Sequence, residues 1–243
     1  MANNNRKAVI AASLAVLSWS TVAAAFKTAL NYFSHFEMLV VAAPTAALIF
    51  AIAITISGKW HCVAELKASD MAKLALLGAL SPTLYYLVLF AAYNLLPAQV
   101  AQPINYFWPI FLVVLLALVA HKPVRPKLYI GMVISFAGLS VISLAGSSLG
   151  GLSLSPTGLL LALLSALLWA FYWIANEKIK AGIDESVKLF VSFCFASLYL
   201  VAAIPFTHSN FDSLPGVLSS MYVGAFEMGI PFLFFSMALR NAT

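Results

Sequence analysis

The sequence predicts an all-α polytopic membrane protein, an inverted five-plus-five helix repeat of which about eight transmembrane helices are present. Composition, the spacing of the apolar runs and an internal pairing of distant segments carry this prediction. Of 243 residues, 63% are hydrophobic and 9% charged, with a mean hydropathy of +0.99. A soluble domain cannot be built with so few charges, so the solvent is a bilayer. Eight runs approach the ~17–25 residues that cross a hydrocarbon core. They are Ala8 to Leu30, Met38 to Ser57, Leu74 to Tyr93, Gln99 to Ala120, Leu128 to Leu144, Thr157 to Asn176, Leu189 to Phe206 and Leu218 to Leu239.

The first run follows a polar start, Met1 to Lys7, and is longer than a signal-peptide core, with no evident cleavage site. It carries Trp19, and near its far end Lys27, whose long stem can reach the headgroups or a substrate. The second and third runs contain Pro44 and Pro82, candidate kinks. The third also carries Tyr85, Tyr86 and Phe90, with Tyr86 and Phe90 at i, i+4. These rings either line a pocket or pack helix on helix.

The fourth run is the most unusual. Its first half holds Gln99, Gln102, Asn105, Tyr106 and Trp108, together with Pro103 and Pro109. An unpaired polar group in hydrocarbon costs roughly 2–7 kcal/mol, so these side chains should face protein or a wet cavity. Gln99, Gln102 and Tyr106 share a helical face, and Gln102, Asn105 and Pro109 an overlapping one. Each proline strips a carbonyl one turn earlier, at Gln99 and Asn105, of its helical donor. In the fifth run Gly131 and Gly138 would permit close helix contact. A flexible connector, GSSLGGLSLSP from Gly146, then leads to the sixth run.

There Ser165, Trp169, Tyr172 and Asn176 fall at i, i+4, i+7 and i+11 on one face, flanked by Trp173. Trp169 lies deep enough for a cavity wall, whereas Asn176 sits at a membrane surface where side chains commonly act as anchors. Glu227 in the eighth run is the acid set well inside a span. A charge at the bilayer centre costs about 2.5–3.5 kcal/mol on insertion scales, so Glu227 is protonated, paired or facing water. Gly224 gives it room, and Pro231 leaves the Glu227 carbonyl without its helical donor. A carboxyl beside a free carbonyl suits a substrate ammonium or a transported proton; a protonated, hydrogen-bonded structural acid is the alternative.

Charge placement orients the chain. With a cytoplasmic amino terminus, inside segments hold Arg6, Lys7, Lys59, Lys67, Lys73, Lys122, Arg125, Lys127, Lys178, Lys180, Lys188 and Arg240, leaving Lys27 as the one exception among 13 cationic residues. The net charge of +5 is therefore read as this orientation bias, and no nucleic-acid partner is expected. Cys62 and Cys194 form no disulfide framework, and four dispersed histidines give no metal site. No clustered acid, base or metal set is present, so neither an enzyme nor a cofactor is expected.

The chain also pairs with itself. Trp19 set on Trp169 aligns Ala12 with Ala162, Leu14 with Leu164, Leu17 with Leu167 and Ala25 with Ala175. Gly78 set on Gly224 aligns Ala79 with Ala225, Leu87 with Leu233 and Ala92 with Ala238. The offsets, 150 and 146, point to a first repeat at 1–146, a linker at 147–156 and an incomplete second repeat at 157–243. Five spans per repeat is an odd number, so the copies insert oppositely, as in secondary transporters whose site lies between the halves. Counterparts of the fourth and fifth spans are missing from the second copy, which predicts a truncated chain.

The motifs LAVLSWSTVAAAFKTAL from Leu14, FAAYNLLPAQVAQP from Phe90, GMVISFAGLSVIS from Gly131, LLSALLWAFYWIANEKI from Leu163 and FSMALRNAT from Phe235 occur in an order and spacing that resemble the EamA-like branch of the drug/metabolite transporter superfamily. NYFWP from Asn105, with Tyr85 and Tyr86, is similar to the aromatic amino-acid exporters of that branch, whereas HKPVRPK from His121 stands where many relatives have a glutamate. The resemblance implies a multi-pass exporter of the bacterial inner membrane. Its partners are membrane lipid and a small-molecule substrate, with protons as candidate coupling ion and Glu227 as candidate coupling residue. The resulting substrate-binding set is Trp19, Tyr85, Tyr86, Phe90, Gln102, Asn105, Tyr106, Trp108, Trp169, Tyr172 and Glu227, serving an amino acid. Alternatives are a cationic-drug exporter and a non-transporting structural or regulatory membrane subunit; the sequence leaves oligomeric state open.

Overall fold

The structure is a computed structural model that describes residues 2–119, 130–134, 137–138, 141, 155–179 and 182–241. Regular structure among these residues is entirely helical. Among the described residues, seven helical stretches are long and apolar enough to cross a membrane: Asn4–Leu30, His35–Ile56, Ala68–Leu95, Ala98–Leu118, Pro156–Lys178, Glu185–Phe206 and Leu214–Ala238. These correspond to seven of the eight expected spans. The expected fifth span, Leu128 to Leu144, lies largely outside the described residues, as do the connector from Gly146 and the cations Lys122, Arg125, Lys127 and Lys180.

Helices are labelled α1 (Ala2–Leu30), α2 (His35–Ile56), α3 (Trp60–Ala64), α4 (Ala68–Gly78), α5 (Tyr85–Leu95), α6 (Ala98–Asn105), α7 (Trp108–Val119), α8 (Pro156–Lys178), α9 (Glu185–Ala203), α10 (Leu214–Val223) and α11 (Ile230–Asn241). Three spans are built from two helices each. Between α4 and α5 the chain is kinked over Ala79–Leu84, with Ser81 extended (φ −148°, ψ 128°) and Ser81–Pro82 cis. Between α10 and α11 a π-helical turn occupies Gly224–Gly229. Between α6 and α7 the helix stops at Tyr106 and Phe107. The last break falls inside the expected span Gln99 to Ala120, where the two prolines leave carbonyls without helical donors. Pro109 offers no N–H and bars its predecessor from comfortable helical backbone, so the helix restarts around it.

The chain forms two compact units. One comprises Met1–Thr83 with Ile179–Thr243, and the other Leu84–Lys178. In the first unit α2 packs on α9, α4 on α9, α10 and the Gly224–Gly229 turn on α2, and α1 on α10 and α11. Two glycines set these crossings. A Cβ on Gly78 would stand 2.3 Å from the Ser192 carbonyl oxygen, and one on Gly224 would stand 2.3 Å from that of Ala42. Only a residue without a side chain admits backbone this close. Ser192 and Ala42 are themselves 150 residues apart, the offset at which Trp169 pairs with Trp19. Gly131 and Gly138 behave otherwise: a Cβ on either meets no atom within 4 Å, so the expected close contacts are absent among the described residues.

The helix ends of this unit are tied in a matching way. Ser34 caps α2 through a capping box with Glu37, and Glu37 also accepts the backbone N–H of Asn210. Asp184, 150 residues after Ser34, caps α9 by accepting the Ser186 N–H at 3.0 Å and also binds the Lys59 ammonium at 2.6 Å. Each cap is thus fastened to a loop from the other part of the chain. In the second unit α8 is the hub, packing on α5, α6 and α7.

Candidate functional site

The second unit gathers most of the expected site residues. Its centre is Trp169, 7% exposed, on the face of α8 where Ser165, Tyr172 and Asn176 are also buried. That face is the one the i, i+4, i+7, i+11 spacing predicts, although Asn176 is enclosed by protein rather than acting only as a surface anchor. The Trp169 ring stacks on Tyr85 with centroids 4.6 Å apart, and on Tyr172 at 4.9 Å. Trp108 meets it edge-on at 6.5 Å and Trp173 at 5.9 Å, while Trp108 and Trp173 stack on each other at 6.2 Å. Tyr85 touches Tyr86 at 4.6 Å, and Tyr86 reaches Phe90 at 5.4 Å, the expected i, i+4 pair. Each offset or edge-on pair adds about 0.5–1.5 kcal/mol beyond area burial.

One edge of this cluster is polar and directional. The Tyr85 hydroxyl donates to Asn105 Oδ1 at 3.2 Å, Asn105 Nδ2 donates to Ser165 Oγ at 2.9 Å, and the Ser165 hydroxyl donates to the Ala162 carbonyl at 2.7 Å. Because Ser165 spends its proton on a carbonyl, its oxygen must accept from Asn105, which fixes the amide's orientation. Asn105 is buried where α6 ends, so the break before Pro109 delivers a polar side chain into the aromatic cluster. Gln102 and Tyr106 lie apart from that chain. Gln102 Nε2 donates to the Tyr106 hydroxyl at 3.1 Å along their common face, and Tyr106 is 47% exposed. Gln99 is exposed.

Trp19 and Glu227 lie in the first unit. The Trp19 indole N–H donates to the backbone carbonyl of Glu227 at 3.2 Å. This corrects the expectation of a free carbonyl, since the group that Pro231 deprives of its helical donor is taken by an indole from α1. Phe232 and Phe235 hold the Trp19 ring at 6.4 and 5.8 Å. Nearby, Thr21 Oγ1 and the Tyr222 hydroxyl are 2.8 Å apart, and Tyr222 stacks on Phe226 at 4.5 Å. Glu227 itself is half-buried.

Two charged features escaped the sequence reading. Lys188, expected in an inside segment before the seventh span, belongs to the first turn of α9 and is 1% exposed, paired with Glu185 at 2.6 Å. The i, i+3 spacing of Glu185 and Lys188 is the signal that would have found it. The Lys59–Asp184 pair joins residues 125 apart and has no local signature. Burial pushes the Asp184 carboxyl upward, but the hydrogen bond from Lys59, those from Ser186 and the Lys59 charge outweigh it and hold Asp184 below the usual carboxylate range.

Comparison with known proteins gives this arrangement a context. The family model described as the EamA-like transporter family matches residues 6–144 and 156–243. The chain is 29% identical over 160 residues to "Uncharacterized transporter YvbV" of Bacillus subtilis (strain 168), a match covering 64% of this chain and 51% of that protein. The chain thus spans about half the length of the curated relative it matches. A solved crystal structure has the same fold with a TM-score of 0.72 at 23% identity, covering 96% of this chain and 78% of that one.

Proposed function

The chain belongs to the EamA-like transporter family, and on that premise we propose that it is a secondary transporter of the bacterial inner membrane. It exports a small amphipathic metabolite, an amino acid with an aromatic or other apolar side chain, by alternating access. The observation that carries the reading is the buried Tyr85–Trp169–Tyr172 stack bordered by the Tyr85–Asn105–Ser165 hydrogen bonds. Rings of this kind accept an apolar side chain by exchanging one aromatic contact for another, and the neighbouring amide and hydroxyls serve its polar end. Glu227 is the coupling residue for protons. Ring faces also attract organic cations, which makes a cationic-drug exporter the second reading.

The amino terminus faces the cytoplasm, a reading supported by the lysine and arginine bias of the connecting segments. Two repeats of opposite insertion are supported by the recurrence of the 146 and 150 offsets at the glycine crossings and the helix caps.

Counterflow in vesicles carrying the chain, with a panel of amino acids and cationic drugs, tests the reading. Aromatic amino acids are expected to exchange, and Trp169→Ala to lower the rate by about tenfold or more, the loss of one stacked ring contact with its packing. Parent-like exchange in that variant removes Trp169 from the site.

A further inference from the structure

We infer that Trp19 is a positioning residue for Glu227, holding through its indole N–H the backbone carbonyl that Pro231 leaves open; this rests on the proposed role of Glu227 in coupling. Proline has no N–H, so Pro231 cannot bond the carbonyl four residues before it. That carbonyl belongs to Glu227, and it accepts the Trp19 indole from 208 residues away. The turn carrying Glu227 is π-helical, with the Ile230 N–H reaching the Ala225 carbonyl. Single π-turns inside α-helices recur at functional sites because they shift side chains out of the regular register.

The turn is gripped from two sides. On one, Gly224 lies against the Ala42 carbonyl and Thr45, and Gly229 lies against Ile49, so α2 supports both of its ends. On the other, Trp19 from α1 binds the middle of the turn, with its ring fixed by Phe232 and Phe235. The polar atom of Trp19 is therefore committed to backbone, and its ring to two phenylalanines. Its part in function is to set where the Glu227 carboxyl stands, not to form a wall for substrate. Proline and tryptophan act as a matched pair: one opens a carbonyl and the other closes it.

The pairing can be tested without knowing the substrate. Carbodiimide modification of Glu227 in the purified chain, at one fixed pH and quantified by mass spectrometry, reports the environment of that carboxyl, and Glu227→Gln identifies the adduct. Replacing Trp19 with 3-benzothienylalanine keeps the ring and removes only the N–H; Trp19→Phe is the second variant. Either change should alter the modification rate by about fivefold, the effect of one net hydrogen bond. An unchanged rate in the benzothienyl variant overturns the inference. Because the readout needs no transport, its failure is distinct from a failure of counterflow.

Discussion

Asn105 donates its side-chain amide to Ser165 Oγ at 2.9 Å, joining the end of α6 to the middle of α8 inside the aromatic cluster. The same amide accepts the Tyr85 hydroxyl, so one residue satisfies two buried partners. Asn105→Ala removes both bonds and leaves a buried donor, the Tyr85 hydroxyl, and a buried acceptor, Ser165 Oγ, without that partner, at about 1–3 kcal/mol for each group left unsatisfied. Ser165→Ala also breaks two bonds, the one from Asn105 and the one to the Ala162 carbonyl, but that carbonyl keeps its place in the ladder of α8, so the Asn105 amide is the one group left unsatisfied. Thermal unfolding in detergent should therefore show the larger fall in midpoint for Asn105→Ala, and equal falls would contradict the directional chain.

The two glycine crossings give a stability prediction of opposite sign to a third glycine. Gly78→Ala and Gly224→Ala each push a methyl against backbone carbonyl, which cannot rotate away, and overpacking of this kind costs typically 1–3 kcal/mol or roughly that. Among the described residues a methyl on Gly131 meets no atom within 4 Å, and alanine is the better helix former. Its midpoint should equal or exceed that of the parent, while the other two fall.

The Lys59–Asp184 pair should make the protein sensitive to acid. Asp184 is held below its unfolded value, so its contribution is present above the ordinary carboxylate pKa and disappears as pH falls through the lowered one. Asp184→Ala also removes the α9 cap, worth about 1 kcal/mol, with the partly exposed ion pair adding little after solvent screening. Unfolding midpoints from pH 7 down to 3 should differ most between parent and variant near neutrality and converge in acid. A constant difference across that range would show that Asp184 titrates normally.

The two cysteines report orientation. Cys62 is half-buried in α3, outside the membrane-crossing stretches, and Cys194 is exposed on α9 within one. A membrane-impermeant maleimide should label Cys62 in inside-out vesicles and leave it untouched in intact cells. Labelling of intact cells would reverse the proposed topology. Cys194, facing acyl chains, should stay unlabelled in both.

Coupling through Glu227 predicts that Glu227→Gln abolishes the response of counterflow to an imposed pH gradient. The amide keeps hydrogen-bonding ability but cannot exchange a proton at neutral pH. A gradient response equal to that of the parent would assign coupling elsewhere.

Much of the fold was readable because a bilayer leaves a chain few options. Backbone groups in hydrocarbon must be satisfied within a helix, so long apolar runs declare the spans, and helical spacing declares which side chains meet. The Ser165–Trp169–Tyr172–Asn176 face, the Tyr86–Phe90 contact and the Gln102–Tyr106 bond are all local consequences of that spacing. The interruption after Asn105 was half legible. Pro109 announced a weakened turn, but whether a helix bends or stops depends on what packs around it.

By itself, then, the sequence determined a helical membrane protein, the approximate limits of seven described spans and the polar or aromatic character of each face. The tertiary structure alone decided that Trp19 closes the Glu227 carbonyl, that Lys59 holds the cap of α9, and that Asn105 joins Tyr85 to Ser165. The physical reason is range. Helix formation is governed by neighbours three and four residues away, whereas a freed carbonyl or a buried acid takes whichever donor the packing of distant helices brings within 3 Å or so.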